Sequence, residues 1–469
     1  MKKTVHSNAP AEKLYEQVYD YLLERIRRGE WAAHEKLPSI RELANQLDVH
    51  RLTVFKAFQL LKLNKKVFVK DKSGYYVLPD SLMLIDTQQN PIISACVYEN
   101  SLSEIHQVKA EYQFSKALLD PNLLPNHYLS SYVKKVFDLY PKVLGTYSTI
   151  QGDLELREAL CRYFTDEYYF HLDADELLIT AGSQEAIDLA ARLLVKPRDT
   201  VLIERPTYSP AIDVFRRQGA DILPVEIHPY GYQLEQVESL MKKYKPRLFY
   251  LNPTFHNPTG YTVPPEQRKK LIELASSYQC LLIEDDPYRD IYFGQKPPLP
   301  LFSYDTTGCV IYIRSFSKYI APGLSIATVA CRHPLMKSLV KTKSLSDNGT
   351  PLLNQKIFLH YFFSERLQQH LEKLRIALEI RKNIMEEELA ETGWKWSSPA
   401  GGFNLWISLP EAPSMEKLLE KSIEQSISFV PGSICDPLRE YHSWIRLCYS
   451  YLNEQQLRDG LNRFIGIFR

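Results

Sequence analysis

The sequence has no run of about 18 apolar residues, no internal repeat, no low-complexity tract and no CxxC pair. Without the apolar run no segment is long enough to span a bilayer as a helix. The opening MKKTVHSNAPAEK begins with a lysine pair but lacks the apolar stretch of a secretory signal, so neither membrane nor export is expected. The seven cysteines, Cys96, Cys161, Cys280, Cys309, Cys331, Cys435 and Cys448, are odd in number and scattered. That pattern predicts reduced thiols in a cytoplasmic protein and argues against a disulfide frame or a zinc site; no metal is expected.

Strong net charge is also missing: the total is +1 over 469 residues. Its distribution is uneven. Residues 1–80 hold 15 Lys and Arg against 10 Asp and Glu, while the remainder holds 42 against 46. Any polyanion would therefore bind at the basic N-terminal end. The length predicts two or three domains with substantial cores.

The front segment reads as a small module. In LYEQVYDYLLERI, Tyr15, Val18, Tyr19, Leu22 and Ile26 recur at helical spacing. Ser39 and Glu42 form an S-x-x-E capping box that starts a helix running to about Gln46. After a break at residues 47–50, Val54, Ala57, Phe58 and Leu61 make the apolar stripe of a second helix whose other face carries Arg51, Thr53 and Lys56. KVFVKDKSGYYVL then alternates around a turn at residues 71–74, as a β-hairpin does. Helix, capped helix, turn, helix and hairpin describe a winged helix-turn-helix, whose second turn helix enters the major groove. Residues 49–72 contain seven Lys and Arg and one Asp, which suits phosphate contacts. A helical domain with a solvated basic face is the competing reading.

Residues 14–78 resemble the GntR-type winged helix, through Leu37–Ser39, Arg41–Ala44 and Val49–Val54. The resemblance implies DNA contacts from Arg41, Arg51, Thr53 and the neighbouring His50 and Lys56, with Ser73 and Gly74 at the wing tip. His50 stands where the family often has Ser or Thr, and His34 where it often has Gly. A DNA-binding domain is thus expected over residues 1–80, followed by a linker over 81–110, which lacks sustained periodicity.

From residue 111 to 469, amphipathic segments alternate with short apolar runs: ELLIT, TVLIE, RLFYL, CLLIED and VIYIR. This predicts a large α/β domain on a mostly parallel sheet, with ligands beyond the carboxyl ends of the strands. A distinctive stretch follows each run. AGSQEAIDL offers a helix N-terminus and a hydroxyl to a phosphate, or is only a cap. RPTYSP presents an aromatic, which could stack or pack. NPTFHNPTG is an Asn-Pro turn or a source of a buried donor. DDPYRDIYF sets acids and a tyrosine at a strand end. SFSKYIAPGLS sets one lysine, Lys318, between serines, where the bland reading is a surface lysine.

In that order the five stretches, with SPAGGFNLWISL, SFVPGS and SWIRLCYS, resemble the fold-type I pyridoxal-phosphate aminotransferases. The resemblance implies that Lys318 is the Schiff-base lysine and acid/base, and that Asp285 faces the pyridine nitrogen. Asn257 and Tyr288 would bind the ring oxygen, and Tyr208 would stack on the ring. Ser183, Gln184, Ser315 and Ser317 would cradle the phosphate, with Tyr147 reaching the phosphate of a neighbouring subunit. Arg446 would fork the substrate α-carboxylate; a structural ion pair is the alternative. One position departs from the family: seven residues after the lysine, where an arginine commonly pairs with the phosphate, stands Ser325. Weaker cofactor binding is expected unless another group, such as Arg314, compensates.

The fusion as a whole is similar to the MocR/GabR group of transcriptional regulators, which implies a cytoplasmic homodimer, head-to-tail in that group, that binds operator DNA and senses an amino acid, an amine or a vitamin B6 form. The alternatives are a working amino acid aminotransferase carrying a DNA-binding module, and a scaffold that has lost the cofactor.

Overall fold

The computed structural model describes residues 11–32, 34–64, 66–70, 73–78, 101–409 and 414–468, in two compact units divided at residue 99. Asp71 and Lys72 of the hairpin turn, Cys96 and most of the 81–110 stretch lie outside the described residues.

In the first unit, α1 (Ala11–Arg27), α2 (Ile40–Leu47) and α3 (Arg51–Leu63) precede a hairpin of β1 (Val67–Lys70) and β2 (Gly74–Val77). The Ser39 hydroxyl accepts from the Glu42 amide at 3.2 Å and the Glu42 carboxylate from the Ser39 amide at 2.8 Å, so the box closes as its spacing predicts. Asp48, at φ 52°, ends α2 in a left-handed cap. Val18, Leu22, Leu43, Val54, Phe58, Leu61 and Val77 fill one core. His34 has φ 66°, which accounts for the glycine that the resembled family favours there.

The second unit is built on a seven-stranded sheet in the order β4-β10-β9-β8-β7-β5-β6: β4 is Leu177–Thr180, β5 Thr200–Arg205, β6 Asp221–Glu226, β7 Leu248–Leu251, β8 Leu281–Asp286, β9 Val310–Ser315 and β10 Ala327–Ala330. All neighbours are parallel except β10, which runs antiparallel to β4 and β9. Every residue of β4, β7, β9 and β10 is buried, because helices cover both faces and the strands need no polar alternation. The five apolar runs became β4, β5, β7, β8 and β9; β6 and β10 were not read from the sequence.

The C-terminal part of this unit folds around a smaller antiparallel sheet of Lys395–Trp396, Asn404–Ser408, Trp444–Cys448 and Val430–Pro431. Strand β3 (Tyr112–Gln113) pairs with Ile427–Ser428, tying the start of the unit to its end. Within the stretch read as linker, residues 101–107 form α4 (Ser101–Gln107), whose Leu102 packs with Trp406, Val430 and Cys435 of this same unit. The six described cysteines are free and buried, and no described helix is long and apolar enough to cross a membrane.

Candidate functional site

Lys318 lies three residues beyond β9, at the carboxyl edge of the large sheet, partly buried, with its Nζ 3.5 Å from the Ala117 carbonyl. Burial and the Arg446 guanidinium hold its ammonium below the ordinary lysine pKa, against the smaller opposing pull of Asp285. Such a lysine has an enlarged neutral fraction and is a better nucleophile.

Asp285, near the end of β8, is 3 % exposed. Its Oδ2 accepts from the Tyr250 hydroxyl at 2.7 Å, and its Oδ1 has no hydrogen-bond partner among the described residues. Burial pushes the carboxyl up to about 7, with the Tyr250 hydrogen bond pulling the other way. A buried carboxylate oxygen without a partner is costly, so it marks a place for a donor that the chain does not supply. A protonated pyridine nitrogen is such a donor, and on this observation the residues fit pyridoxal phosphate.

Asn257 follows β7 on the NPTFHNPTG loop. Its Oδ1 accepts from Arg446 Nη1 at 3.2 Å, while its backbone amide donates to Asn252 Oδ1 at 2.8 Å. Asn252 in turn donates to the Asp285 carbonyl, so one side chain sets the spacing of the β7 and β8 loops. Arg446, on Trp444–Cys448 of the smaller sheet, donates through Nη2 to the Ser115 carbonyl at 2.6 Å, and its Nε has no partner among the described residues. No described carboxylate pairs with it, so the ion-pair reading of Arg446 falls away. Tyr288 is buried and Tyr208 half-buried; burial raises both phenols, Tyr208 to about 12, and each senses the Arg446 charge. Lys318, Asp285, Arg446, Asn257, Tyr208 and Tyr288 thus form one electrostatic neighbourhood.

The phosphate-side residues are less enclosed. Ser315 is buried, Ser183 and Ser317 are half-buried, and Gln184 is exposed at the start of the helix Ser183–Leu194. Ser325 adopts φ 53° and its hydroxyl donates to the Ala181 carbonyl at 3.2 Å, beside the same helix start. Arg314 does not compensate for the missing arginine: its Nη groups bind Asp290 at 2.6 Å, Tyr319 at 2.9 Å and the Asp286 and Ser315 carbonyls. Tyr147 is 80 % exposed and does not join the other residues within this chain.

Tyr250 and Asn252 were missed by sequence reasoning. Tyr250 sat inside the apolar run RLFYL, where nothing marks which face its ring takes; Asn252 opens the NPTFHNPTG loop, whose second Asn-Pro drew the reading.

On the winged helix, Arg41, His50, Arg51, Lys56 and Ser73 are exposed, and Thr53 and Gly74 are half-buried. His50 is the N-cap of α3: its Nδ1 accepts from the Leu52 amide at 3.2 Å, the service a Ser or Thr hydroxyl would give.

A lysine and a carboxylate with one unpartnered oxygen at the carboxyl edge of the large sheet, with an arginine from the smaller sheet that no described carboxylate pairs, define an aminotransferase-type domain, preceded in the chain by a winged helix. Residues 126–464 match the family described as aminotransferase class I and II, and residues 14–77 match bacterial regulatory proteins of the gntR family. The chain belongs to the class I and II aminotransferase family and carries a GntR winged helix-turn-helix at its N-terminal side. It is 29 % identical over 461 residues, covering 95 % of this chain and 94 % of the relative, to the uncharacterized HTH-type transcriptional regulator YdfD of Bacillus subtilis. It is 30 % identical to aromatic-amino-acid aminotransferase 1 of Thermococcus litoralis, covering 73 % of this chain and 84 % of that one. Among solved structures, the kynurenine aminotransferase of Pyrococcus horikoshii, in complex with PMP, superposes with a TM-score of 0.76 at 28 % identity, covering 82 % of this chain and 99 % of that chain.

Proposed function

We propose that the chain is a cytoplasmic, pyridoxal-phosphate-dependent transcriptional regulator of the MocR/GabR kind, which takes an amine or amino acid in its large unit and operator DNA on its winged helix. The observation that carries this reading is the union, in one chain, of a winged helix with exposed Arg41, Arg51 and Lys56 and a site whose Asp285 Oδ1 lacks a partner. YdfD, similar along nearly its whole length, is named as a regulator.

Bound pyridoxal phosphate supplies an aldehyde that captures amines and a ring that accepts electron density. Lys318, whose ammonium burial and Arg446 hold below its ordinary pKa, would offer a neutral amine to that aldehyde and could take up or release a proton at Nζ. Asp285 would face the ring nitrogen, where its unpartnered Oδ1 could accept from a protonated ring. Asn257, with its Oδ1 occupied by Arg446, would have its Nδ2 for the ring oxygen, and the Tyr288 hydroxyl could donate to the same atom. Tyr208 covers the ring face. Arg446 binds a ligand carboxylate through its planar guanidinium. Ser183, Gln184, Ser315 and Ser317 hold the phosphate with neutral donors, and the exposed Tyr147 serves the site of a second copy in a homodimer.

Borohydride reduction of the cofactor-loaded protein, followed by peptide mapping, tests the site: a label on Lys318 is expected, and a label elsewhere overturns the assignment. Selection of binding duplexes by the full-length protein tests the DNA role. A second reading, a working aminotransferase, is favoured by the intact set of Lys318, Asp285 and Arg446. Robust steady-state α-keto acid production from an amino acid panel would establish it in place of a pure sensor.

A further inference from the structure

The side of α3 turned away from the module's core is only partly polar. Val54, Ala57, Phe58 and Leu61 are buried, and the opposite side carries Leu52, Phe55, Lys56 and Gln59. Leu52 is 56 % exposed and Phe55 42 % exposed, three residues apart in the first turns of the helix. Arg51 and Lys56 are exposed alongside them. An isolated exposed apolar side chain is ordinary, but a Leu-Phe pair on one short arc between two cations is a small apolar surface inside a basic one.

We infer that Leu52 and Phe55 read thymine C5-methyl groups in the major groove, which makes them determinants of operator sequence; this rests on the DNA-binding reading above. The cations fix the class of partner, because they suit phosphates and are poorly suited to an apolar protein groove. Within the major groove, the thymine methyl is the apolar mark that separates A·T from the other pairs, and Phe is a side chain suited to it. The first turns of a recognition helix are those that reach base edges. Backbone geometry holds the pair in place: the His50 ring caps the Leu52 amide, and the Gln59 amide donates to the Tyr75 hydroxyl on β2 at 3.1 Å, with Tyr75 stacked 4.4 Å from Phe58. Leu52 and Phe55 therefore project from a helix locked to the wing.

The test starts from duplexes selected by the full-length protein out of random sequence. In a selected site, thymines are replaced one at a time by deoxyuridine, which removes only the methyl group. At one or two thymines per half-site the affinity of the unaltered protein should fall about four-fold each, the effect of uncovering one buried methyl. In the Leu52→Ala/Phe55→Ala variant the thymine-to-deoxyuridine ratio should shrink below about two-fold, while the salt dependence of binding, set by the cations, stays unchanged. Equal binding of thymine and deoxyuridine sites by the unaltered protein overturns the inference, as does a variant that keeps full discrimination; the apolar pair then serves another surface. Failure to enrich any duplex would instead sink the DNA-binding reading itself, and the inference with it.

Discussion

At its ring end the candidate cofactor site is buried and cross-braced: Asp285 is gripped by Tyr250 through Oδ2 and by Asn252 through its carbonyl, and Asn252 also holds Asn257. At its proposed phosphate end Ser315 is buried, but Ser183 and Ser317 are half-buried, Gln184 is exposed, and Ser325 stands where the resemblance leads one to expect an arginine. On the proposed reading the two ends would recognise their halves of the ligand by different means. A buried carboxyl with one unpartnered oxygen would penalise the empty site and favour a charged ring, so the low dielectric would supply much of the affinity. Neutral hydroxyls facing a phosphate in partial contact with water supply far less. The contrast suits a ligand that is chemically well placed and comparatively easy to exchange, which a sensor needs more than a fast catalyst does.

The largest effect is expected from Lys318→Ala, which removes the attachment point that both ends serve. Intact-mass measurement after borohydride treatment should find no fixed label; a retained label would break the comparison at its centre.

Asp285→Asn is next and separates electrostatics from shape. Cofactor affinity should fall about ten- to hundred-fold in a fluorescence titration, the range for a lost charge-assisted hydrogen bond. The same variant should be more stable than the parent in cofactor-free protein at neutral pH. Asp285 rises from the ordinary carboxyl value to about 7 on folding, so between about pH 4 and 7 the unfolded chain releases a proton that the folded chain keeps. Stability is complete below that window and lost as the pH climbs through it. Denaturant midpoints at pH 5 and 7.5 should show the parent losing on the order of 2–3 kcal/mol relative to the variant. Glu284, also pushed up to about 7 by burial, adds a similar slope to both proteins and cancels in the difference. Parallel curves would show that Asp285 is already charged without the cofactor.

Ser325→Arg probes the weaker end. Cofactor affinity should rise about ten-fold or more, because a guanidinium placed beside the start of the helix Ser183–Leu194 restores a charge-assisted contact. Serine already occupies the left-handed φ of 53°, so the change adds no new backbone strain. An unchanged affinity would mean that another group fills the gap, and the Nη contacts of Arg314 exclude that residue.

Legibility in the sequence divided along the same line as the site. Apolar runs such as Val310–Ile313 announce themselves, because a strand covered on both faces has few polar residues to disguise it. Strand β6 was missed since Pro224 and the partly exposed pattern of Asp221–Glu226 belong to a sheet edge, and β10 since Ala327–Ala330 has only Val329 as a large apolar residue, unlike the equally short β4 and β7. The lysine and the acid were visible as charged residues just beyond or near a strand end, and the arginine as a charge inside a short apolar strand. Tyr250 was not, since a tyrosine in an apolar run looks like core until a partner is seen. The absence of a compensating arginine could only be settled by seeing where Arg314 points.

The smallest effect is expected at Gln184. Its amide is one neutral donor at an exposed helix start, where water replaces a lost hydrogen bond with little net change. Gln184→Ala should weaken cofactor binding less than about five-fold, the equivalent of about 1 kcal/mol or less. The backbone amides of the helix start remain after the substitution, and they, with the helix dipole, carry most of what a neutral cradle can offer a dianion. If Gln184→Ala instead matched Asp285→Asn in effect, the phosphate end would be as tightly organised as the ring end. The difference between them would then lie in exposure alone, and the Ser325 position would have been relieved of its role by the glutamine.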